Sequence, residues 1–249
     1  FSQLHKKGLV YEGFKSMSLC PRCETTLSNF EVSQGYKDIT DISVYVKFEL
    51  KEEKGTYFIA WTTTPWTLPG NVALAINTHL EYQKVQVGDA RYIIAVGRLE
   101  AFKALVKEEV KLLETYHGKD LVGKEYIPVF DYYASDKKLK NRENGWRVYG
   151  ADFVTTDSGT GIVHIAPAFG ADDYELSLVE NLPFVQHVAT DGTFKAEVKD
   201  FAGQHVKPKE DHQKGDVEII KYLAHTGKLF AKEKIIHSYP HCWRCDTPL

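Results

Sequence analysis

The clearest pattern along the chain begins near Ser43, where Val44, Val46 and Phe48 alternate with Tyr45, Lys47 and Glu49. A period of two is the mark of a half-buried strand. Tyr57 to Trp61 and Val72 to Ile76 are short apolar runs rich in β-formers, and Tyr82 to Val87 and Arg91 to Val96 are further strand candidates. Leu99, Phe102, Leu105, Val106, Val110 and Leu113 then recur at helical spacing, which predicts a helix from Arg98 to about Tyr116. Lys119 to Tyr133 returns to short strands centred on Tyr126 to Phe130. Ser135 to Gly145 is polar and reads as an exposed hairpin or loop. Trp146 to Val154 and Gly161 to Ala166 are strand-like, and short helices are expected over Asp172 to Glu180 and Asp216 to Ala224. Many short strands with a few helices between them point to an α+β, barrel-centred fold and away from a doubly wound sheet. Residues 1–30 read as a connector with a short amphipathic start around Leu4, Leu9 and Tyr11.

Composition narrows the class without naming a function. The chain has 249 residues, 43% apolar and 26% charged, as an ordinary globular domain does. No apolar run is long enough to cross a membrane as a helix, and the first residues lack the apolar core of a secretory signal. A formal net charge of −3 supplies no global attraction to polyanions. The single methionine, Met17, is internal, and the chain opens on Phe1, so a processed product or an excised fragment is expected.

The four cysteines change the picture. Cys20 and Cys23 flank Pro21-Arg22, and Cys242 and Cys245 flank Trp243-Arg244. Each pair has the spacing that lets two thiolates face one tetrahedral ion. A redox pair of the thioredoxin type and four small apolar side chains are the competing readings. Two pairs without a strand–helix redox context favour one structural zinc held by Cys20, Cys23, Cys242 and Cys245, closed to substrate. One ion would bring the two ends of the chain together, as an insertion into a host domain requires.

Two other segments carry candidate chemistry. In Trp61-Thr62-Thr63-Thr64-Pro65-Trp66-Thr67-Leu68-Pro69-Gly70-Asn71, three hydroxyls end a strand where Pro65 forbids regular continuation. On extended backbone Thr62 and Thr64 face one way and Thr63 the other, an uncharged row able to bind substrate and water. Plain β-propensity explains the same run. In Gly159-Thr160-Gly161-Ile162-Val163-His164-Ile165-Ala166-Pro167-Ala168-Phe169-Gly170-Ala171-Asp172-Asp173, a glycine turn precedes a strand carrying His164, and two acids open a helix. One of Asp172 and Asp173 is expected to be the N-cap, leaving the other for a cationic group. His164 is suited to orienting water or a ribose hydroxyl, or is simply structural. Neither a dinucleotide fingerprint nor a phosphate-loop lysine occurs in the chain.

Together, segments 61–71 and 159–175 and the two cysteine knuckles resemble the isoleucyl-tRNA synthetase editing domain, the large connective peptide inserted in that catalytic fold. The resemblance runs through essentially the whole chain and is least distinctive at 135–145 and 203–215. The valyl and leucyl relatives typically carry an arginine and then an acid after the first two threonines, where this chain has Thr64-Pro65-Trp66, and they lack the His164 version of the second segment. The resemblance implies a β-barrel-centred α+β domain of the class I (Val/Ile/Leu) enzymes with peripheral helices and a zinc-binding base. Residues 1–40 would be the outgoing connector, 41–231 the editing domain and 232–249 the return connector.

It also implies a hydrolase of charging errors. One methylene is worth only roughly 1–3 kcal/mol in a hydrophobic pocket, a limit this family itself illustrates, so valine leaks through isoleucine selection and a second site removes it. The implied partners are the 3′ end of tRNA(Ile) carrying valine, valyl-adenylate, and the remainder of the synthetase; a cytoplasmic monomer with no membrane partner is expected. Carried over by position, the catalytic set is Thr62, Thr63, Thr64, His164 and Asp173, with Trp61, Asn71 and Gly161 binding substrate. Asp173 would hold the substrate ammonium and Asp172 would not. No nucleophile or general base stands out, so attack by an oriented water aided by an RNA ribose hydroxyl is the implied mechanism, with no catalytic metal. Neither ATP signature of the class I catalytic fold (His-x-Gly-His or Lys-Met-Ser-Lys-Ser) is present, so ATP belongs to the parent enzyme only. A non-catalytic zinc module that binds RNA, through Lys137, Lys138, Lys140 and Arg142, or that merely connects domains is the alternative.

Overall fold

The structure, a computed structural model, describes residues 1–12 and 15–249. After a short helix α1 (Ser2–Lys6), strands β1 (Leu19–Cys20) and β2 (Thr25–Thr26) form a small antiparallel knuckle, followed by α2 (Asn29–Ser33). Ser28 begins α2 with a reciprocal capping box to Glu31. The main body is built from β3 (Tyr36–Glu49), β4 (Thr56–Thr62), β5 (Ala73–Ile76), β6 (Glu81–Val87), β7 (Ala90–Ala95), β8 (Lys111–His117), β9 (Arg147–Gly150), β10 (Ile162–Ile165) and β11 (Leu229–Pro240). Helices α3 (Leu99–Leu105), α4 (Ala171–Val179) and α5 (Lys214–His225) lie between them.

Two sheets wrap one core. The larger has six strands in the order β11-β3-β4-β7-β6-β8, and the smaller three in the order β10-β5-β9. Val44, Val46 and Phe48 of β3 enter the main core with Phe58, Leu74, Ile76, Tyr82 and Ile93. Tyr45, Ile59, Tyr92 and Ile94 point to the opposite face, where they pack with Phe102 of α3 and Phe230 of β11. Both faces of the central strands are therefore covered, which is why Tyr57 to Trp61 is apolar without alternation. The wrap is made by two sheets that meet at the end of β4, where the Thr160 hydroxyl donates to Ile59 O and Ala95 N donates to Thr160 O.

β3 and β11 are much longer than the other strands and pair antiparallel from Tyr36↔Pro240 to Val46↔Leu229. They pass without a break through 40/41 and 231/232, where the sequence placed connector boundaries. The first half of β3 is largely exposed and the second half buried, so one ribbon carries the chain from the cysteine base into the core.

Two expectations from periodicity are corrected. Helix α3 stops at Leu105, and Lys111–His117 is a strand pairing with β6, not the second half of a helix. Leu112 and Leu113 are 55% and 44% exposed, so the helical reading would have buried residues that are not buried. The free edge of β6 supplies hydrogen bonds, and Val106, Val110 and Thr115 favour extended backbone; tertiary pairing overrides the weak helical period. Residues 119–133 contain no regular strand. Leu121, Tyr126, Val129 and Phe130 are buried in the core, and the isolated bridges Leu50↔Tyr126 and Glu125↔Arg147 are its sheet-like pairings, beside scattered backbone and side-chain bonds. Residues 135–145 form an exposed loop pinned by Arg142, which donates to Ala134 O, and by Leu139 against the core. Among the described residues no helix is long and apolar enough to cross a membrane.

Candidate functional site

The threonine segment lies where the chain leaves the large sheet for the small one. β4 ends at Thr62, Thr63 and Thr64 follow, and a 3₁₀ turn, Pro65–Gly70, leads into β5. Pro65 starts the turn because its fixed φ suits a first helical position and its missing N–H costs nothing there. Thr64 N donates to the Thr62 hydroxyl at 3.1 Å, and the two hydroxyls are 3.3 Å apart, so Thr62 and Thr64 share one side. Thr62 is buried, whereas Thr63 and Thr64 are partly exposed.

β10 runs antiparallel to β5, with His164 opposite Leu74 and Ile165 opposite Ala73. This register sets the buried His164 beside the 3₁₀ turn. The Thr67 hydroxyl donates to Thr64 O at 2.9 Å and lies 2.9 Å from His164 Nε2. With its one proton committed to Thr64, that hydroxyl must accept, so His164 carries its proton on Nε2. His164 Nδ1 is then a buried bare acceptor with no partner among the described residues. Burial, with a smaller contribution from nearby His187, pushes the imidazole down to about 4, so it is neutral at physiological pH.

Asp173 sits in the first turn of α4. The expected aspartate N-cap is absent: Gly170 occupies that position and no side chain caps the helix. Asp173 Oδ2 instead accepts Ala166 N–H at 2.8 Å, which ties α4 back to the end of β10. Burial pushes the carboxyl up to about 6, offset by the Ala166 bond and reinforced by the neighbouring Asp172. A Cβ on Gly170 would lie 2.9 Å from Asp173 Cγ, so any larger residue there would displace the Asp173 side chain. Asp172 is exposed.

Asn71 is buried and held at both its amide nitrogen and its oxygen. Its amide donates to Ala73 O at 2.8 Å and its oxygen accepts the Tyr126 hydroxyl at 2.7 Å. These bonds fix the exit of the turn. Gly161 lies in the left-handed region (φ 73°), its carbonyl accepting the Tyr82 hydroxyl at 2.8 Å. A cleft of roughly 250 Å³ opens between the end of β4 and the glycine turn, with Trp61, Thr62, Thr63, Gly159 and Gly161 among its lining residues. Trp61 Nε1 has no protein partner. Thr64, His164, Asn71 and Asp173 are not in that lining. Trp61, Thr62, Thr63 and Gly161 thus line the cleft, Thr64 and His164 meet through Thr67 outside it, Asn71 supports the exit of the turn, and Asp173 is tied to the end of β10.

Several partners had no role in the sequence reading. Thr67 links Thr64 to His164. His187 Nε2 donates to Trp66 O at 2.9 Å, and Asp216 Oδ1 accepts Trp66 N–H at 3.0 Å. Lys207 joins Asp216 (2.9 Å) to Asp41 (3.1 Å), all three buried. Only Thr67 had a local signal, since Thr64-Pro65 is a helix-start pattern that brings residues 64 and 67 together.

At the base, the thiols of Cys20, Cys23, Cys242 and Cys245 all lie within 4.8 Å of one another. Cys20–Cys245 and Cys23–Cys245 sulfur separations are 3.5 and 3.6 Å. A tetrahedral zinc with Zn–S near 2.3 Å needs sulfurs about 3.8 Å apart, so the set fits one ion. Cys20 and Cys242 are buried and pack with Leu27 and Val32, while Cys23 is exposed. A larger cleft, about 360 Å³, lies beside this base and is lined by Arg22, His205, Lys209 and Glu210 among others. It shares no residue with the threonine–histidine site.

Residues 1–243 match the family described as tRNA synthetases class I (I, L, M and V). The chain is 46% identical over 246 residues to isoleucine--tRNA ligase of Bacillus thuringiensis (strain Al Hakam), covering 99% of this chain and 22% of that protein. It is 44% identical over 247 residues to isoleucine--tRNA ligase of Clostridium acetobutylicum, again 99% of this chain and 22% of the relative. Among solved structures, the crystal structure of GlLeuRS-CP1 aligns with a TM-score of 0.57 at 16% identity, over 77% of this chain and 99% of that one. That likeness shows a shared α+β fold. The chain spans about 22% of the length of the isoleucine--tRNA ligases it matches, and it belongs to the class I tRNA synthetases of the I, L, M and V group.

Proposed function

We propose that this chain is the editing module of an isoleucine--tRNA ligase and hydrolyses the ester of valine on tRNA(Ile), together with valyl-adenylate. The observation that carries the reading is Asp173. Its carboxylate is largely desolvated, holds one backbone N–H, and has no cationic side chain bonded to it among the described residues. A half-buried anion without a counter-ion is costly, and the ammonium of an aminoacyl ester is the group that would relieve it. In this reading His164, neutral and with no bond at Nδ1 among the described residues, and the paired hydroxyls of Thr62 and Thr64 serve the same substrate. Such groups orient water and ribose hydroxyls without acting as a strong base, so the rate enhancement comes from holding water and ester in place. The ribose hydroxyl of the substrate assists proton transfer from the attacking water. Selection against isoleucine is by exclusion: the pocket admits the smaller side chain and not the one with an additional methylene.

Cys20, Cys23, Cys242 and Cys245 would hold one zinc, which ties β3 and β11 together at the outer end of their ribbon and takes no part in hydrolysis. The domain limits 1–40, 41–231 and 232–249 follow from the same reading, as does a monomer delivered its RNA end by the remainder of the synthetase, where ATP is used. Four unbridged thiols suit a reducing, cytoplasmic compartment. The test is deacylation of Val-tRNA(Ile) by this chain. Turnover of the valyl ester with sparing of the isoleucyl ester supports the reading; binding of tRNA without turnover supports a non-catalytic RNA-binding module instead.

A further inference from the structure

Trp66 is the second residue of the 3₁₀ turn, between Thr64 and Thr67. Both of its backbone groups are held by side chains distant in sequence. Its N–H donates to Asp216 Oδ1 of α5 at 3.0 Å, and its C=O accepts from His187 Nε2 at 2.9 Å. Asp216 is 1% exposed and His187 is 0% exposed. His187 is itself located by packing, edge-on to Phe169 at 4.7 Å and stacked with Phe194 at 5.9 Å. Its Nδ1 faces Gly70, where a Cβ would come within 2.3 Å. On the other side, Asp216 Oδ2 binds Lys207 Nζ at 2.9 Å, and Lys207 also binds Asp41 Oδ2 of β3 at 3.1 Å. Asp41 Oδ2 lies 3.1 Å from His237 Nε2 of β11. A continuous polar chain thus runs from the β3/β11 ribbon to the backbone of the threonine turn.

Burying three charges is a poor way to gain stability, because desolvation consumes most of the attraction. What such a set does supply is a directed acceptor of fixed position. Proline at 65 and 69 removes two of the backbone donors of this turn, so its placement draws on outside partners. Neither His187 nor Asp216 lines the cleft. We propose that His187 and Asp216 are positioning residues that clamp Trp66 from its two backbone ends and so set Thr64 and Thr67 against His164. The proposal rests on the deacylase reading.

The experiment uses His187→Phe, which keeps the ring packing and removes the donor, and His187→Gln, which restores an N–H donor. Asp216→Leu and Asp216→Asn form the matching pair for the acceptor. Wild-type deacylation of Val-tRNA(Ile) is measured first, alongside melting curves and amide hydrogen exchange at Trp66 and in β4. His187→Phe and Asp216→Leu are expected to lower kcat roughly tenfold with KM nearly unchanged, the effect of about one lost hydrogen bond. His187→Gln and Asp216→Asn recover most of that loss. Trp66 amide protection falls in Asp216→Leu while β4 protection is retained. Wild-type rates in both deletions, or equal losses in the deletion and its conservative partner with a lowered melting point, overturn the clamp and leave the deacylase reading standing. A wild-type chain that hydrolyses neither ester overturns both.

Discussion

Replacing Asp173 by asparagine separates function from stability in opposite directions. The wild-type carboxyl is pushed from 3.8 up to about 6, mainly by burial. A shift of about two units corresponds to roughly 3 kcal/mol of penalty on the ionised form. Asparagine keeps an oxygen for the Ala166 N–H but is a weaker acceptor, which returns about 1 kcal/mol. The net expectation is a gain of about 1–2 kcal/mol at neutral pH. For a chain of this size that raises the melting temperature by roughly 2–8 °C. The sign follows from the folded carboxyl titrating above the unfolded one. Between those two values the folded state binds more protons, so wild-type stability falls as pH rises through the window. The advantage of the variant is therefore complete above about 6 and fades as pH falls towards 3.8. Urea melts of both proteins at neutral and acidic pH read this directly. Deacylation by the same variant is expected to fall roughly 10–100-fold, the loss of a charge-assisted contact to the ammonium. A variant that is less stable at neutral pH refutes the claim of an unpaired, partly desolvated carboxylate. One that is more stable but deacylates at the wild-type rate refutes its role in binding the ammonium.

The pH profile of wild-type deacylation should rise through about 6 as Asp173 ionises, and show no histidine inflection in the usual range, because burial holds His164 and His187 near 4. A rise that persists unchanged in Asp173→Asn assigns it to another group. Gly70→Ala drives a Cβ to within 2.3 Å of His187 Nδ1 and should cost about 1–3 kcal/mol in denaturant melts while lowering deacylation; a neutral effect on both contradicts the tight approach. Metal analysis should find one zinc per chain, lost when Cys20 or Cys242 is changed to serine, with early melting of the base; a metal-free chain of unchanged stability counts against the site.

The strands that cross the core were legible because their chemistry is local. Val44, Val46 and Phe48 alternate since one face of β3 meets the main core, and the continuous run at Tyr57 to Trp61 reflects a strand covered on both faces. The cysteine pairs were legible for a similar reason, since each knuckle carries its own spacing. Lys111–His117 was not, because its strand identity comes from the edge of β6 and not from its own pattern. The site shows the same division. Thr62, Thr64, His164 and Asp173 stand in compact segments whose residue types declare polar chemistry in apolar surroundings. His187, Lys207 and Asp216 do not, as their meaning lies in bonds to partners more than a hundred residues away, the Trp66 backbone for His187 and Asp216 and the Asp41 carboxylate for Lys207. Gly170 explains the one error within the site, since a cap without a side chain leaves no mark, and Asp173 turns back to Ala166 instead.

The most direct measurement of the central claim is the hydrolysis of tRNA(Ile) esterified with valine or with isoleucine, by this chain and by Asp173→Ala and Asp172→Ala. The account predicts release of valine with isoleucine spared, abolished in Asp173→Ala and largely retained in Asp172→Ala. Equal hydrolysis of the two esters, or equal losses in the two variants, would contradict it.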